Sequence, residues 1–223
     1  MSFQSFVRGR RVALVGPSRS IVGSGLGTEI DAHDLVARLN HGWPVPLGLE
    51  ADLGRRLDIL YHCCNGDHPI DRVFSAGIDR LRWACFENGP DHQRLLDHCT
   101  DANVQSLDVT DLYVDLRRDL GTFPNNGLVA IHHLLGADAA RVSLFGLTFF
   151  REPYMPGYPA DGADAVHWTV GGPIPTQIWE HDLPLQYRHF TDLCRGEQRL
   201  AVDGVSLALM PEVREAISRR ERR

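Results

Sequence analysis

The 223-residue chain has no lysine, and all 23 of its basic residues are arginine. Chemistry built on a lysine is thereby excluded, the lysine Schiff base and the P-loop lysine included. The five cysteines form no C-x-x-C pair, and only Cys63 and Cys64 stand close together. A disulfide framework and a cysteine zinc site are both excluded, and a reduced, cytoplasmic setting is expected. No apolar run approaches the ~18–20 residues of a membrane span, and the opening MSFQSFVRGRR lacks the apolar core of a signal peptide. A soluble protein is expected. No excess of basic charge is present either: the formal net charge is -6, which argues against a nucleic-acid partner. Hydrophobic residues at 43% and charged residues at 23% are the proportions of a chain that buries a core, so disorder is excluded as its main state.

Arg11-Val12-Ala13-Leu14-Val15-Gly16 is a short apolar run closed by glycine, the pattern of a buried parallel strand. Further strands are predicted at residues 35–40, 57–61, 81–86, 104–109, 141–146 and 200–207. Helices are predicted at 70–78, 91–102, 111–120, 127–135 and 178–195, with a last one from Pro211. This alternation predicts an α/β fold: one Rossmann-like domain over residues 1–223, with a mostly parallel sheet flanked by helices. Residues 151–176 hold five of the thirteen prolines and no periodicity. A long irregular segment in a compact domain carries function more often than it serves as a linker.

The first strand runs into a loop containing Gly23, Gly25 and Gly27. Glycines let the backbone approach a phosphate, and the helix that follows offers unpaired N–H donors. The spacing is neither G-x-G-x-x-G nor G-x-x-x-x-G-K-[ST], so the loop alone fits a tight strand-to-helix turn equally well.

A longer string is more specific. Val12 to Ser18, Gly23-Ser24-Gly25-Leu26-Gly27, and Ile30-Asp31-Ala32-His33-Asp34-Leu35-Val36-Ala37-Arg38-Leu39-Asn40 together resemble the large motif of glycosyltransferase family 29, the sialyltransferases. Asp52-Leu53-Gly54-Arg55-Arg56 is similar to the segment that follows that motif. Pro124-Asn125-Asn126-Gly127 with Arg141 to Gly146 is similar to the family's small motif. His167-Trp168 sits where the third motif falls, and His181 opens the position of the very small motif, H-x-x-x-x-E. The resemblance covers residues 11 to about 190, leaving a predicted strand and an Arg-rich helix at 198–223. It implies a sialyltransferase-like domain, a variant of the GT-A fold, in a soluble bacterial-type member. The departures are Pro17 for the motif asparagine, Asn125-Asn126 for Ser-Thr, and Gln186 for the glutamate. Val12 and Ala139 stand where the family has its disulfide cysteines.

The resemblance implies an inverting transfer of sialic acid, or of the related keto-sugar acid Kdo, from a CMP-activated donor to a hydroxyl of a glycan acceptor. His181 would be the base that takes the acceptor proton, a role suited to histidine because it titrates near the working pH. His167 would hydrogen-bond the leaving phosphate. Gly16, Ser18, Ser24, Gly25, Asn40, Asn125, Asn126 and Gly127 would hold the donor. Tyr154, Tyr158 and Trp168 could stack on the acceptor sugar, or simply pack the long loop onto the sheet. No cofactor and no metal are expected: the chain contains no Asp-x-Asp pair, and a monophosphate leaving group carries less charge than a diphosphate. His33, inside the large motif, suits a structural hydrogen bond. Arg214, Arg219, Arg220, Arg222 and Arg223 crowd the C-terminal helix, as a solvated helix end or as a peripheral contact with anionic lipid. The alternative is a catalytically impaired nucleotide-binding protein of the same fold, which Pro17 and Gln186 keep open.

Overall fold

Seven short strands, most of them with apolar residues on both faces, form one parallel sheet. They are β1 (Arg11–Val15), β2 (Leu35–Leu39), β3 (Ile59–His62), β4 (Trp83–Phe86), β5 (Gln105–Asp108), β6 (Arg141–Phe145) and, later in the chain, Leu200–Val202. The computed structural model describes residues 1–66, 70–158, 177–178 and 181–223, with 177–178 described at the level of the backbone. Residues 177–178 (β7) and 181–182 (β8) form a separate antiparallel ladder, so the last strand of the large sheet is β9. The sheet order is β5-β4-β3-β2-β1-β6-β9, and every neighbouring pair is parallel. The α/β fold with a mostly parallel sheet, expected from the sequence, is the fold observed.

Alternate residues of each strand feed different cores. Val12, Leu14, Leu35, Ala37, Ile59, Tyr61, Trp83, Cys85, Val142 and Leu144 enter one large cluster. Helices α6 (Thr110–Leu120), α7 (Asn126–Gly136), α8 (Leu183–Gly196) and α10 (Pro211–Glu221) cover that face. On the other face Leu60, Ala84 and Phe86 pack under α4 (Ile70–Phe74) and α5 (His92–Asp101). Ala13, Val15, Val36 and Phe145 pack there under α2 (Gly27–Asp31) and α3 (Glu50–Leu53). A short N-terminal helix, α1 (Phe3–Val7), adds Phe3 and Val7 to the large cluster. All five cysteines are free thiols, and Val12 and Ala139 are both buried in the large cluster. No helix among the described residues is long and apolar enough to cross a membrane.

Several predicted elements differ in extent from those observed; the helix expected over 70–78, for one, stops at Phe74. The strand expected over 200–207 stops at Val202, because the Asp203 carboxylate accepts the Ser206 N–H at 2.8 Å and caps a new helix, α9 (Gly204–Leu209). The helix expected from 178 begins at Leu183, where Asp182 caps it through the Leu185 N–H at 2.9 Å and Pro184 occupies its first turn. The C-terminal arginines are also not one free patch. Arg220 is largely enclosed, and its guanidinium reaches the carbonyls of Cys194, Glu197 and Leu200 at the end of α8, while Arg219 pairs with Glu215.

The large-motif segment is a polar clasp around the start of the sheet. Asp34 accepts the Arg11 N–H, Asp31 accepts the Arg55 N–H, and Asp58 accepts the Val36 N–H, all at 2.8–2.9 Å. Arg38 is fully buried and donates to the carbonyls of Arg56 and Leu53. Helix α2 lies so close to α3 that a Cβ on Gly27 would meet the Glu50 carbonyl oxygen at 2.3 Å and that of Ala51 at 2.6 Å. Backbone atoms cannot swing aside. Gly27→Ala should therefore lower the melting temperature by roughly 5–10 °C. Gly136→Ala, where a Cβ meets nothing within 4 Å, should leave it unchanged or slightly raised. Thermal melts of both variants check the pair.

Candidate active site

The chain leaves β1 toward β2 and leaves β6 toward β9, so the sheet order reverses between β1 and β6. In open α/β sheets the crevice at such a point, outside the carboxyl ends of the strands, is where ligands bind. A cavity of about 390 Å³ lies there. Its lining includes the residues that follow the strands: Pro17 and Ser18 after β1, Asn40 after β2, Cys63 and Asn65 after β3, Glu87 after β4, and 146–150 after β6. Phe123, Pro124 and the start of α7 form one wall, and His181 stands beside them.

Most of the expected site residues described in the structure converge on this cavity. Ser18, Asn40, Asn125, Asn126, Gly127, Tyr154, Tyr158 and His181 all line it. Gly16, Ser24 and Gly25 do not. Gly16 is needed for a close approach, since a Cβ there would meet the Leu147 side chain at 2.5 Å and the Gly146 carbonyl oxygen at 2.6 Å. The N–H groups of Gly23 and Gly25 donate to the two oxygens of Asp52 at 2.7 and 2.8 Å. The side chain of Ser24 accepts the Leu26 N–H. The amides of the glycine loop are thus spent on a carboxylate of the chain itself and do not face the cavity. His33 bonds the Glu29 carbonyl. His167 and Trp168 lie outside the described residues.

The donors and acceptors at the cavity wall are tied to one another. Asn40 has a left-handed backbone, φ 44°, and its side-chain oxygen accepts the Cys63 N–H at 3.0 Å and Asn126 Nδ2 at 2.9 Å. Asn126 Nδ2 also donates to the Tyr61 carbonyl at 3.1 Å. The Tyr158 phenol is hydrogen-bonded by the Asn40 side chain and the His41 backbone, and burial pushes it well above the usual tyrosine range. Asn125 caps α7 by accepting the Leu128 N–H at 3.0 Å. Asn126 and Gly127 follow in its first turn, where backbone N–H groups have no intrahelical acceptor. Ser18 Oγ lies 2.9 Å from Ser20 Oγ and accepts from Thr148 Oγ1 at 3.2 Å, a hydroxyl cluster at the mouth of β1.

His181 Nδ1 is 2.7 Å from the Phe123 carbonyl oxygen. A carbonyl only accepts, so this nitrogen carries the proton, and in the neutral ring Nε2 holds the lone pair. The same carbonyl accepts Gln186 Nε2 at 2.8 Å, while Gln186 Oε1 accepts both the backbone N–H and the side-chain amide of Asn125, at 2.9 and 2.7 Å. Gln186 is completely buried. A carboxylate in its place could take the two Asn125 donors but could not donate to Phe123. The amide therefore bonds at both ends, and it holds the histidine loop and the cap of α7 as one unit.

Two carboxyl groups at this cavity carry no motif. Glu87 and Glu152 both line it, each with a buried Oε1 that has no hydrogen-bond partner among the described residues. Each lies shortly beyond a parallel strand, Glu87 directly after β4 and Glu152 in the turn that leaves β6. The strand-end rule could have flagged the first from sequence, whereas nothing in the sequence marks the second. Burial raises the Glu152 carboxyl, against a lowering by the charge of Arg19. No group of three or more His, Cys, Asp or Glu side chains placed to hold a metal ion occurs among the described residues.

Burial pushes Glu87 up to about 8 from 4.5. The folded protein thus keeps a proton that the unfolded chain releases, and stability falls as the pH rises from 4.5 to about 8 and then levels off. Glu87→Gln, which cannot ionise, should match the wild type near pH 4 and exceed its melting temperature by on the order of 5 °C near pH 8.5. Parallel melting curves across that range would show that Glu87 titrates as an ordinary carboxylate.

The geometry can now be set beside known proteins. Residues 5–68 match the family model described as Glycosyltransferase family 29 (sialyltransferase). Over 70 residues the chain is 39% identical to Sialyltransferase-like protein 2 of Oryza sativa subsp. indica, a match that takes in 30% of this chain and 18% of that protein. The match thus spans under a fifth of that relative's length. Two crystal structures of a mammalian sialyltransferase, one in complex with Gal-beta-1-3GalNAc-ortho-nitrophenol, superpose on this chain with TM-scores of 0.59 and 0.60. Each superposition covers 90% of this chain and 71% of the other, at 18% and 17% identity, a likeness of fold. Over residues 5–68 the chain is thus similar to glycosyltransferase family 29, the sialyltransferase family, and its sheet has the fold of a solved sialyltransferase.

Proposed function

We propose that this protein transfers a keto-sugar acid, sialic acid or Kdo, from its CMP-activated form to a hydroxyl of a glycan, inverting the anomeric centre. The observation that carries the reading is the placement of His181: at the switch-point cavity, with Nδ1–H held by the Phe123 carbonyl at 2.7 Å. In that tautomer Nε2 is the basic nitrogen, the one able to take the proton of an attacking hydroxyl. Attack from the side opposite the nucleotide accounts for inversion. The leaving phosphate would lie toward the start of α7, where the first-turn N–H groups and the helix dipole favour an anion. Ser18, Asn40 and Asn126 would bind the nucleotide, and His167 would protonate or hydrogen-bond the departing phosphate. The reading includes no metal. It places the glycan toward the β3–β4 side of the cavity, near Asn65, Glu87 and Tyr113. Any contact with anionic lipid through α10 would fall to its exposed arginines, because Arg220 is engaged by α8.

Calorimetric titration should show binding of CMP and none of S-adenosylmethionine; an absence of CMP binding overturns the reading. His181→Ala should bind CMP within about threefold of the wild type but hydrolyse CMP-sialic acid or CMP-Kdo roughly 10²–10⁴-fold more slowly. Equal hydrolysis in that variant would remove His181 as the base. A wild type that binds CMP and turns over neither donor would be the nucleotide-binding protein without catalysis.

A further inference from the structure

We propose that Glu152 reads the base of the bound nucleotide and sets a preference for cytosine over uracil. The inference rests on the nucleotide-donor reading above and adds the residue that selects the nucleotide.

Its first support is position. After β6 the chain turns back, and residues 153–155 run antiparallel to residues 17–19. The Arg19 N–H donates to the Pro153 carbonyl and the Met155 N–H to the Pro17 carbonyl, both at 2.8 Å, around a bridge between Ser18 and Tyr154. This ladder holds Glu152 beside the β1/β6 switch point. Glu87, the other cavity carboxyl with a partnerless Oε1 among the described residues, follows β4, three strands from β1. At strand spacing that is about 14 Å away, on the side left to the other substrate.

The second support is environment. Glu152 is only 8% exposed, and its Oε1 is buried without a hydrogen-bond partner among the described residues while the residue lines the cavity. A buried acceptor left unsatisfied costs stability, and binding a donor recovers that cost. Phe150 and Tyr154 line the cavity with it, their ring centroids 6.1 Å apart and inclined at 64°. Rings so placed give a flat base an apolar surface to lie on.

The third support is chemical. The ionised carboxyl only accepts, and the 4-amino group of cytosine donates to it. Uracil presents O4 at the same place, a second acceptor, and leaves the Glu152 oxygen unsatisfied. Discrimination then comes from the unpaired group in the wrong complex as much as from the bond in the right one.

The test uses titration calorimetry on the full chain with CMP, UMP and the 5′-monophosphate of 2-pyrimidinone riboside, which lacks only the 4-amino group. The wild type should bind CMP at least about tenfold more tightly than either analogue, the size expected for one base-edge hydrogen bond. Glu152→Gln should narrow the CMP/UMP ratio to within about threefold, because an amide can turn its oxygen to an amino group or its NH₂ to O4. Glu152→Ala should bind CMP and the pyrimidinone nucleotide equally. Equal binding of all three nucleotides by the wild type overturns the inference without touching the analogue-independent donor reading. A wild-type preference retained in Glu152→Gln also overturns it. Should Glu152→Ala fail to fold, the isosteric Gln variant and the analogue comparison on unaltered protein decide the matter. A wild type that binds none of the three overturns the donor reading itself, and the inference with it.

Discussion

The in-register parallel pairing of β1 with β6 is the constraint on which the rest of the site depends. Five residues pair, from Arg11 with Arg141 to Val15 with Phe145, and the residue after each strand is glycine. Those glycines are in mutual contact: a Cβ on Gly16 would press the Gly146 carbonyl, and one on Gly146 would stand 3.2 Å from the Gly16 carbonyl. The two strand ends approach as closely as backbone allows, and only beyond them does the chain diverge. The crevice is the space that this divergence opens. Ser18 meets Thr148 across it, and α7 points its first turn into it.

The polarity of that crevice is unusual for a site proposed to hold an anion. Its described lining includes Glu87, Glu152 and His181 but no arginine. Charge on a ligand therefore has to be met by amides, hydroxyls and a helix N-terminus, groups that neutralise in part and stay fixed in direction. The two carboxyls compete with an anion only when ionised, and burial raises both, Glu87 to about 8. Among the described lining residues, hydrogen-bond geometry thus carries more of the recognition than net charge does.

The sheet was legible in the sequence because most of its parallel strands are short apolar runs, the polar edge strand β5 excepted, and β1 and β6 both end at glycine. The short helices were not. Helices α2 and α3 have five and four residues, too few for a 3.6-residue period to declare itself, and α9 hides behind an alternating Val205-Ser206-Leu207 that imitates a strand until Asp203 is recognised as a cap. At the site, Ser18, Asn40, Asn125, Asn126, Gly127 and His181 were found through motif resemblance, and each lines the cavity. The glycine loop misleads for a specific reason. A sequence shows that backbone amides are free to be used but not what uses them, and here the acceptor, Asp52, lies 29 residues beyond Gly23. Glu87 and Glu152 stayed silent because what distinguishes them is the lack of a partner, a property that exists only in three dimensions.

Asn40 joins two demands that are usually separate. Its backbone sits at φ 44°, a twist that glycine and asparagine accept and most side chains resist. Its side chain meanwhile ties β2 to the Cys63 backbone and to the cap region of α7. Glycine would satisfy the twist and lose the ties, while glutamine would keep an amide and strain the turn. The repertoire at this cavity-facing position is therefore already narrow before any ligand enters, and the same amide that a substrate would meet is part of what shapes the wall around it.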